Sequence, residues 1–198
     1  MNLILASTSP YRKILLEKLK IPFTCRKPNV DESPQNEEQA QALVARLARS
    51  KALAVGSGMP DAYIIGSDQV ASLDGKILGK PGNYDIAFAQ LKAASGRAVT
   101  FHTGLCLFDT HTQTCHSAVE DFVVSFKSLS DKQIRRYLLV EQPYDCAGSF
   151  KSEGLGIMLF SALDGRDPNT LVGLPLIRLT ELFTELGIDL FEHIEFAP

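Results

Sequence analysis

Strong basic charge, a long apolar run, paired cysteines and a histidine metal motif are all missing from this sequence of 198 residues. Twenty Lys and Arg against 23 Asp and Glu leave a net charge of −3. No bulk field therefore exists to hold a nucleic acid polymer, and an anionic ligand must be caught locally. The opening MNLILAS is a short apolar run ended by Ser7. No stretch reaches the roughly 20 apolar residues of a membrane span, and no basic segment precedes that first run as a signal peptide requires. Cys25, Cys106, Cys115 and Cys146 are scattered without CxxC spacing, which argues against a disulfide framework or a structural zinc site and makes the cytoplasm the expected compartment. The four histidines, His102, His111, His116 and His193, form no HExxH, and no GxSxG elbow supports a Ser-His-Asp hydrolase. What is present is 45% hydrophobic and 22% charged residues, the composition of a compact folded chain.

The local signals predict an α/β chain. Asn2–Ala6 reads as a buried strand, and Ser9-Pro10 then supplies an N-cap and a first-turn proline for an amphipathic helix through Lys20. Ile21–Lys27 reads as a second strand before a polar loop, Pro28–Gln35, and Asn36 is the expected cap of a long helix to about Val55. Tyr63–Gly66 is a short apolar strand running into Ser67-Asp68-Gln69, and Asp74-Gly75 between apolar runs marks a tight hairpin. Asn83 caps a helix to Ser95-Gly96, and Arg97–Phe108 with Cys115–Phe126 read as two long strands joined at a polar tip. Ser130-Asp131 opens a helix to about Val140, Ala147–Gly156 is a glycine-punctuated loop, and Leu174–Gly187 closes as a helix. With no internal repeat, residues 1–198 are expected to form one domain of two lobes sharing a sheet, the hairpin lobe spanning about residues 83–127.

Chemistry concentrates in a few segments. Ser7-Thr8-Ser9-Pro10-Tyr11-Arg12 brings hydroxyls, free helix N–H groups and a guanidinium to a helix N-terminus, a local anion site suited to phosphate. The same residues also make an ordinary capped helix with a solvated arginine. Asp68, following the strand Tyr63–Ser67, can ligate a divalent cation, accept a proton from water, or simply cap its own turn. Glu32 is either a second metal-binding carboxylate or a solvated loop acid. Gly75-Lys76-Ile77-Leu78-Gly79-Lys80 has three residues between its glycines, where a P-loop has four and a Ser or Thr after its lysine. The P-loop reading fails, although Lys80 in a rigid turn can still reach a phosphate as a point charge. Lys51, late in the second helix, reads locally as a surface cation. Cys146–Gly154 lets backbone approach a ligand, and Glu153 within it can accept hydrogen bonds from a base, or the segment is plain loop.

Together these pieces resemble the Maf family of nucleoside triphosphate pyrophosphatases, specifically its YceF-like subfamily, whose assigned activity is on 7-methyl-GTP. The matching segments run in order as LILASTSPYR, NVDES, ARLARSKA, IIGSDQV, GKP, SGRAVTFHTGL, CAGSFKSEGLGI and GRDPNTLVGLPL, covering residues 2 to 180. The resemblance implies a mixed, elongated twisted α/β sheet with flanking helices and two lobes around a central cleft, similar to inosine triphosphatases. It also implies a divalent cation, Mg²⁺ or Mn²⁺, and release of diphosphate from a nucleoside triphosphate. By that likeness Asp68 is the proton acceptor and Glu32 lines the triphosphate and metal; the two carboxylates, Glu32 and Asp68, are the candidate metal ligands. Ser7, Ser9 and Arg12 match the phosphate loop, and Lys51 and Lys80 match residues lining the triphosphate. Tyr11, Gln69 and Glu153 match positions that separate the 7-methyl-GTP subfamily from its dTTP/UTP relatives, which carry Arg, Thr and Gln there. The subfamily often has Trp where this chain has Tyr11.

Methylation at N7 makes guanine cationic, so a carboxylate at Glu153 and an aromatic face at Tyr11 both favour it, the latter by about 0.5 to 2 kcal/mol. The expected activity is thus hydrolysis of 7-methyl-GTP to 7-methyl-GMP and diphosphate. Other expectations are a dTTP, UTP or modified-nucleotide pyrophosphatase, or a nucleotide-binding regulator of septum formation. The partners expected are a nucleotide substrate and, through an exposed sheet edge, a second copy of the chain; no membrane is among them.

Overall fold

The structure is a computed structural model and describes residues 1–195, so the last three residues of the expected 1–198 domain lie outside the described residues. Among the described residues, seven strands form one mixed sheet. Its order is β2 (Thr24–Cys25), β1 (Leu3–Leu5), β3 (Tyr63–Leu73), β5 (Ala98–Asp109), β6 (Thr114–Phe126) and β7 (Phe160–Asp164), with β4 (Lys76–Leu78) paired to β3 off that path. β1 is parallel to both β2 and β3, whereas β3–β4 and β6–β7 are antiparallel. The flanking helices are α1 (Pro10–Glu17), α2 (Ala40–Gly56), α3 (Tyr84–Ala94), α4 (Asp131–Glu141), α5 (Pro168–Val172) and α6 (Leu176–Glu185). The mixed α/β sheet expected from sequence is therefore present. No helix among the described residues is long and apolar enough to cross a membrane.

The chain divides into two compact units. Met1–Asp68, Thr103–Glu120 and the segment from Asp167 onward make the first; Gln69–His102 and Asp121–Arg166 make the second. In the first unit, the unbroken apolar run of β1 is explained by burial on both faces. Leu3 and Leu5 pack with Leu15 and Leu16 of α1 and Leu179, Leu182 and Phe183 of α6. Ile4 faces the other way, in a cluster with Ile64, Phe108 and the α2 residues Ala48, Ala52 and Val55. α2 lies unusually close to the strands: a Cβ added at Gly66 or Gly104 would come within 2.1 Å of the Ala48 or Val44 carbonyl oxygen, respectively. Only hydrogen in place of a side chain allows that approach.

The second unit is built on the β3–β4 hairpin and the adjoining parts of β5, β6 and β7. Asp74 and Gly75 both take positive φ, 48° and 77°, as the Asp-Gly turn predicts. Phe101, Phe126, Phe150 and Phe160 pack edge to face, the closest centroids being 4.8 Å apart. Asn83 caps α3 by accepting from the Ile86 N–H, and Ser130 with Gln133 forms a capping box at α4.

Several boundaries differ from expectation. α2 starts at Ala40 after Gln39, three residues later than the Asn36 cap predicts. The reason is a competing turn: the Glu38 carboxylate accepts the Gln35 N–H at 3.0 Å and two Arg46 N–H groups at 2.7 Å, holding residues 35–38 outside the helix. α1 stops at Glu17, since Lys20 already has φ 56°. β2 shrinks to two exposed residues. β7 and α5, unforeseen in the sequence, occupy Phe160–Asp164 and Pro168–Val172.

Candidate active site

The site residues of the first unit begin where β1 ends. β1 pairs with β3 only as far as Leu5 opposite Ile65, and Ala6 N–H then donates to the Ile65 carbonyl at 2.8 Å. Past that point the chain turns through Ser7 and Ser9 into α1. Ser7 is buried and its hydroxyl oxygen accepts the Ser9 N–H at 3.1 Å, so its own O–H proton is what it has to offer a ligand. The Ser9 side chain caps α1, accepting the Arg12 N–H at 3.4 Å, as the Ser-Pro signature predicts. Tyr11, one residue into α1, is half-buried.

Asp68 does not follow a short strand. It sits inside β3, which runs on to Leu73 because Ala71 and Ser72 pair with Leu78 and Ile77 of β4. The polar triplet Ser67-Asp68-Gln69 looked like a strand end, yet Ser67 and Asp68 are buried and individually partnered. Ser67 Oγ donates to the Gly173 carbonyl at 2.9 Å. Asp68 accepts from Lys51 Nζ at 2.6 Å.

Lys51 corrects its local reading as a surface cation. Only 5% of it is exposed, and its ammonium bridges Asp68 and, at 2.7 Å, Glu32. An ammonium leaves water only where its charge is matched, and here two carboxylates from separate segments converge on it. Arg12 completes the group. Burial pulls its guanidinium below the ordinary arginine range, and the nearby Asp68 and Glu32 charges push it back up. Its Nε–H donates to the Gly173 carbonyl at 2.8 Å. Two cations and two carboxylates thus share one locality beside the α1 N-terminus.

Gln69, Lys80 and Glu153 belong to the second unit. Gln69 is half-buried on β3. Lys80 is exposed in a loop pinned on both sides, with Gln90 Nε2 donating to the Gly79 carbonyl at 3.0 Å and Gly82 N–H to the Tyr144 carbonyl at 2.9 Å. Glu153 is exposed and accepts from Ser152 Oγ at 2.9 Å. Its loop is fixed by Glu141, which accepts the Leu155 N–H at 2.9 Å, and by Tyr137, whose hydroxyl accepts the Lys151 N–H at 3.0 Å. Burial raises the Tyr137 pKa, so the phenol stays neutral. Ser149 Oγ also donates to the Gln90 side chain, so Gln90 ties the Lys80 loop to the 149–155 segment.

Ser67, Gly173, Gln90 and Glu141 were not singled out from sequence. Gly173 had a readable signal in Asp167-Pro168 five residues before it, the start and stop marks of a very short helix. The unit also holds a chain of hydrogen bonds from Ser72 Oγ to His102 Nε2 at 2.9 Å and from His102 Nδ1 to Asp121 at 2.7 Å. Ser72 lies in a regular ladder opposite Ile77 and is buried, unlike the exposed elbow serine of a hydrolase.

No cluster of three or more His, Cys, Asp or Glu able to hold a metal occurs among the described residues. Asp68 and Glu32 do fit an ion of the Mg²⁺ type, which one or two carboxylates hold when substrate phosphates and water complete the shell. A permanently resident metal enclosed by protein ligands does not fit this donor set.

A mixed sheet in this arrangement is shared with the Ham1 protein of Staphylococcus aureus, at a TM-score of 0.53 and 11% identity over 94% of this chain and 100% of that one. The chain belongs to the Maf family: Maf-like protein matches residues 2–186. It is 64% identical to a 7-methyl-GTP pyrophosphatase of Pseudoalteromonas atlantica over 98% of this chain and 100% of that protein. It is 59% identical to a 7-methyl-GTP pyrophosphatase of Colwellia psychrerythraea, over 95% and 94% respectively.

Proposed function

We propose that this chain is a nucleotide pyrophosphatase that hydrolyses 7-methyl-GTP to 7-methyl-GMP and diphosphate, acting on the cytoplasmic nucleotide pool as one catalytic domain. The activity agrees with that of the relatives, 64% and 59% identical over nearly the whole chain. The observation that carries the chemistry is Lys51, buried between Asp68 and Glu32 in the locality of Arg12. Such a group neutralises and orients a polyanion without any bulk basic surface.

In this reading the triphosphate lies against the α1 N-terminus. Ser7 and Ser9, Arg12, Lys51 and Lys80 take up its charge, and the charge that gathers on the leaving diphosphate in the transition state falls to the same cations. Asp68 accepts a proton from the water that attacks the α-phosphorus in line, while Lys51 keeps that carboxylate oriented. Asp68 and Glu32 would hold a Mg²⁺ or Mn²⁺ ion, which when bound neutralises phosphate charge. Tyr11, Gln69 and Glu153 select the base, the Glu153 carboxylate favouring the cationic methylated ring.

Asp68→Asn tests the catalytic assignment. Asparagine still accepts from Lys51 but has no basic carboxylate, so diphosphate release from 7-methyl-GTP should fall by about 10² to 10⁴ with the circular dichroism spectrum unchanged. Near-native turnover in that variant would remove Asp68 from the proton-accepting role.

A further inference from the structure

The Gly173 carbonyl is the meeting point of side chains from α1 and β3: Arg12 Nε donates to it at 2.8 Å and Ser67 Oγ at 2.9 Å. We propose that Gly173 is a positioning residue that fixes the Arg12 guanidinium for phosphate binding. The proposal rests on the reading that Arg12 takes up substrate phosphate.

The carbonyl is held firmly enough to do this. Gly173 ends α5 with φ 107°, and its N–H donates to the Asn169 and Thr170 carbonyls at 3.1 and 3.0 Å. Asp167, 1% exposed, caps the start of α5 by accepting the Asn169 N–H at 2.8 Å and, through its other oxygen, accepts the Ile177 N–H of α6 at 2.8 Å. α5 is further tied to β5 by the Thr103 hydroxyl on the Thr170 carbonyl at 3.1 Å, and to the end of α1 by Lys18 on Asn169 at 2.7 Å. The carbonyl therefore sits at the end of a short, cross-braced helix.

Arginine suits such an anchor. Its Nε–H can be committed to a carbonyl while the terminal nitrogens of the planar fork stay directed at an anion, which a lysine cannot reproduce. Glycine is required by the backbone. A φ of 107° strains any side-chain-bearing residue. A Cβ at this position would lie 3.4 Å from Arg12 Nε and 3.6 Å from its Nη2, ordinary van der Waals contact, so a substitution disturbs the guanidinium through the strained backbone that carries the carbonyl and not by collision.

The test is a double-mutant cycle between Gly173→Ala and Arg12→Lys. Two readouts are taken on the full chain: KM for 7-methyl-GTP and Kd for inorganic triphosphate by calorimetry. Arg12→Lys and Gly173→Ala should each weaken triphosphate binding by about tenfold or more, the size of a lost charge-assisted hydrogen bond. The double variant should bind no worse than Arg12→Lys alone, to within about twofold. Gly187→Ala, at φ 73° with nothing within 4 Å of the added Cβ, carries the backbone strain alone and should leave both readouts unchanged. Gly173→Asn, which accepts a positive φ more readily than alanine but is still strained at 107°, replaces the alanine variant if that fails to fold. Effects that multiply in the double variant, or a Gly173 variant with native triphosphate affinity, would overturn the proposal. Native affinity in Arg12→Lys would overturn both the phosphate role of Arg12 and the clamp. Coupled loss of triphosphate binding in a chain that does not cleave 7-methyl-GTP would sustain the clamp and reject the substrate.

Discussion

Lys51, 5% exposed, holds its ammonium between the carboxylates of Asp68 and Glu32. Its side chain was legible in principle. Lys51 falls in the buried stripe Leu47, Ala48, Lys51, Ala52, Val55, so the helical period already placed it on the inward face of α2. A cation on that face needs anions, and the sequence offers no local clue that residues 32 and 68 supply them, because those contacts depend on how separate segments meet. Lys51→Met keeps the stem and removes the charge. Breaking a buried pair costs roughly 3–5 kcal/mol. Glu32, with 59% of its side chain exposed, can turn to water, and Arg12 remains near Asp68, so about 2–3 kcal/mol is expected here. Urea unfolding of the variant reads this directly, and an unchanged midpoint would mean that the bridge contributes nothing to stability.

Elements with regular periodicity or an explicit cap were the readable ones. β1, the start of α1, the Asp74-Gly75 hairpin, α3 and α4 all form where their residues predict, since caps and turns are satisfied by neighbours in sequence. β7 was hidden because four of its five residues are exposed and only Phe160 is buried, leaving no alternation to read. The start of α2 was misplaced because the Glu38 carboxylate, held by Arg46 from eight residues on, accepts the Gln35 N–H and folds a turn that no local propensity encodes. That turn has a pH signature. The Arg46 side chain, with help from the Gln35 N–H, holds the Glu38 carboxyl down at about 2 against an ordinary 4.5. A depressed folded pKa contributes stability that is complete above the unfolded value and is lost as pH falls through the folded one. The stability advantage of the native chain over Glu38→Gln should therefore be constant above pH 4.5 and vanish as pH drops towards 2. Unfolding midpoints of both proteins across that range check it, and a difference independent of pH would assign the effect to packing.

For the whole molecule, a net charge of −3 does not stand against the proposed binding of a polyanion, because Lys51 and Arg12 are concentrated beside a helix N-terminus. The family was legible from eight motifs in order, and the match over residues 2–186 bears that out. The bracing around the motifs was not legible: Gln90 and Glu141 each hold a loop by hydrogen bonds to its backbone, and Gly173 accepts through its carbonyl, which carries no residue-type signature. In the proposed function base selection falls to Glu153, an exposed carboxylate. Such a charge facing a cationic ring through solvent is worth about 1 kcal/mol, so Glu153→Gln should narrow the preference for 7-methyl-GTP over GTP by about fivefold in kcat/KM. An unchanged ratio in a competition assay would place the discrimination elsewhere.

Product analysis of a single reaction bears most directly on the assigned activity. Purified protein with Mg²⁺ or Mn²⁺ and 7-methyl-GTP should release one diphosphate for each 7-methyl-GMP formed, faster than from GTP, dTTP or UTP. Release of orthophosphate alone, or faster cleavage of dTTP and UTP than of 7-methyl-GTP, would contradict it.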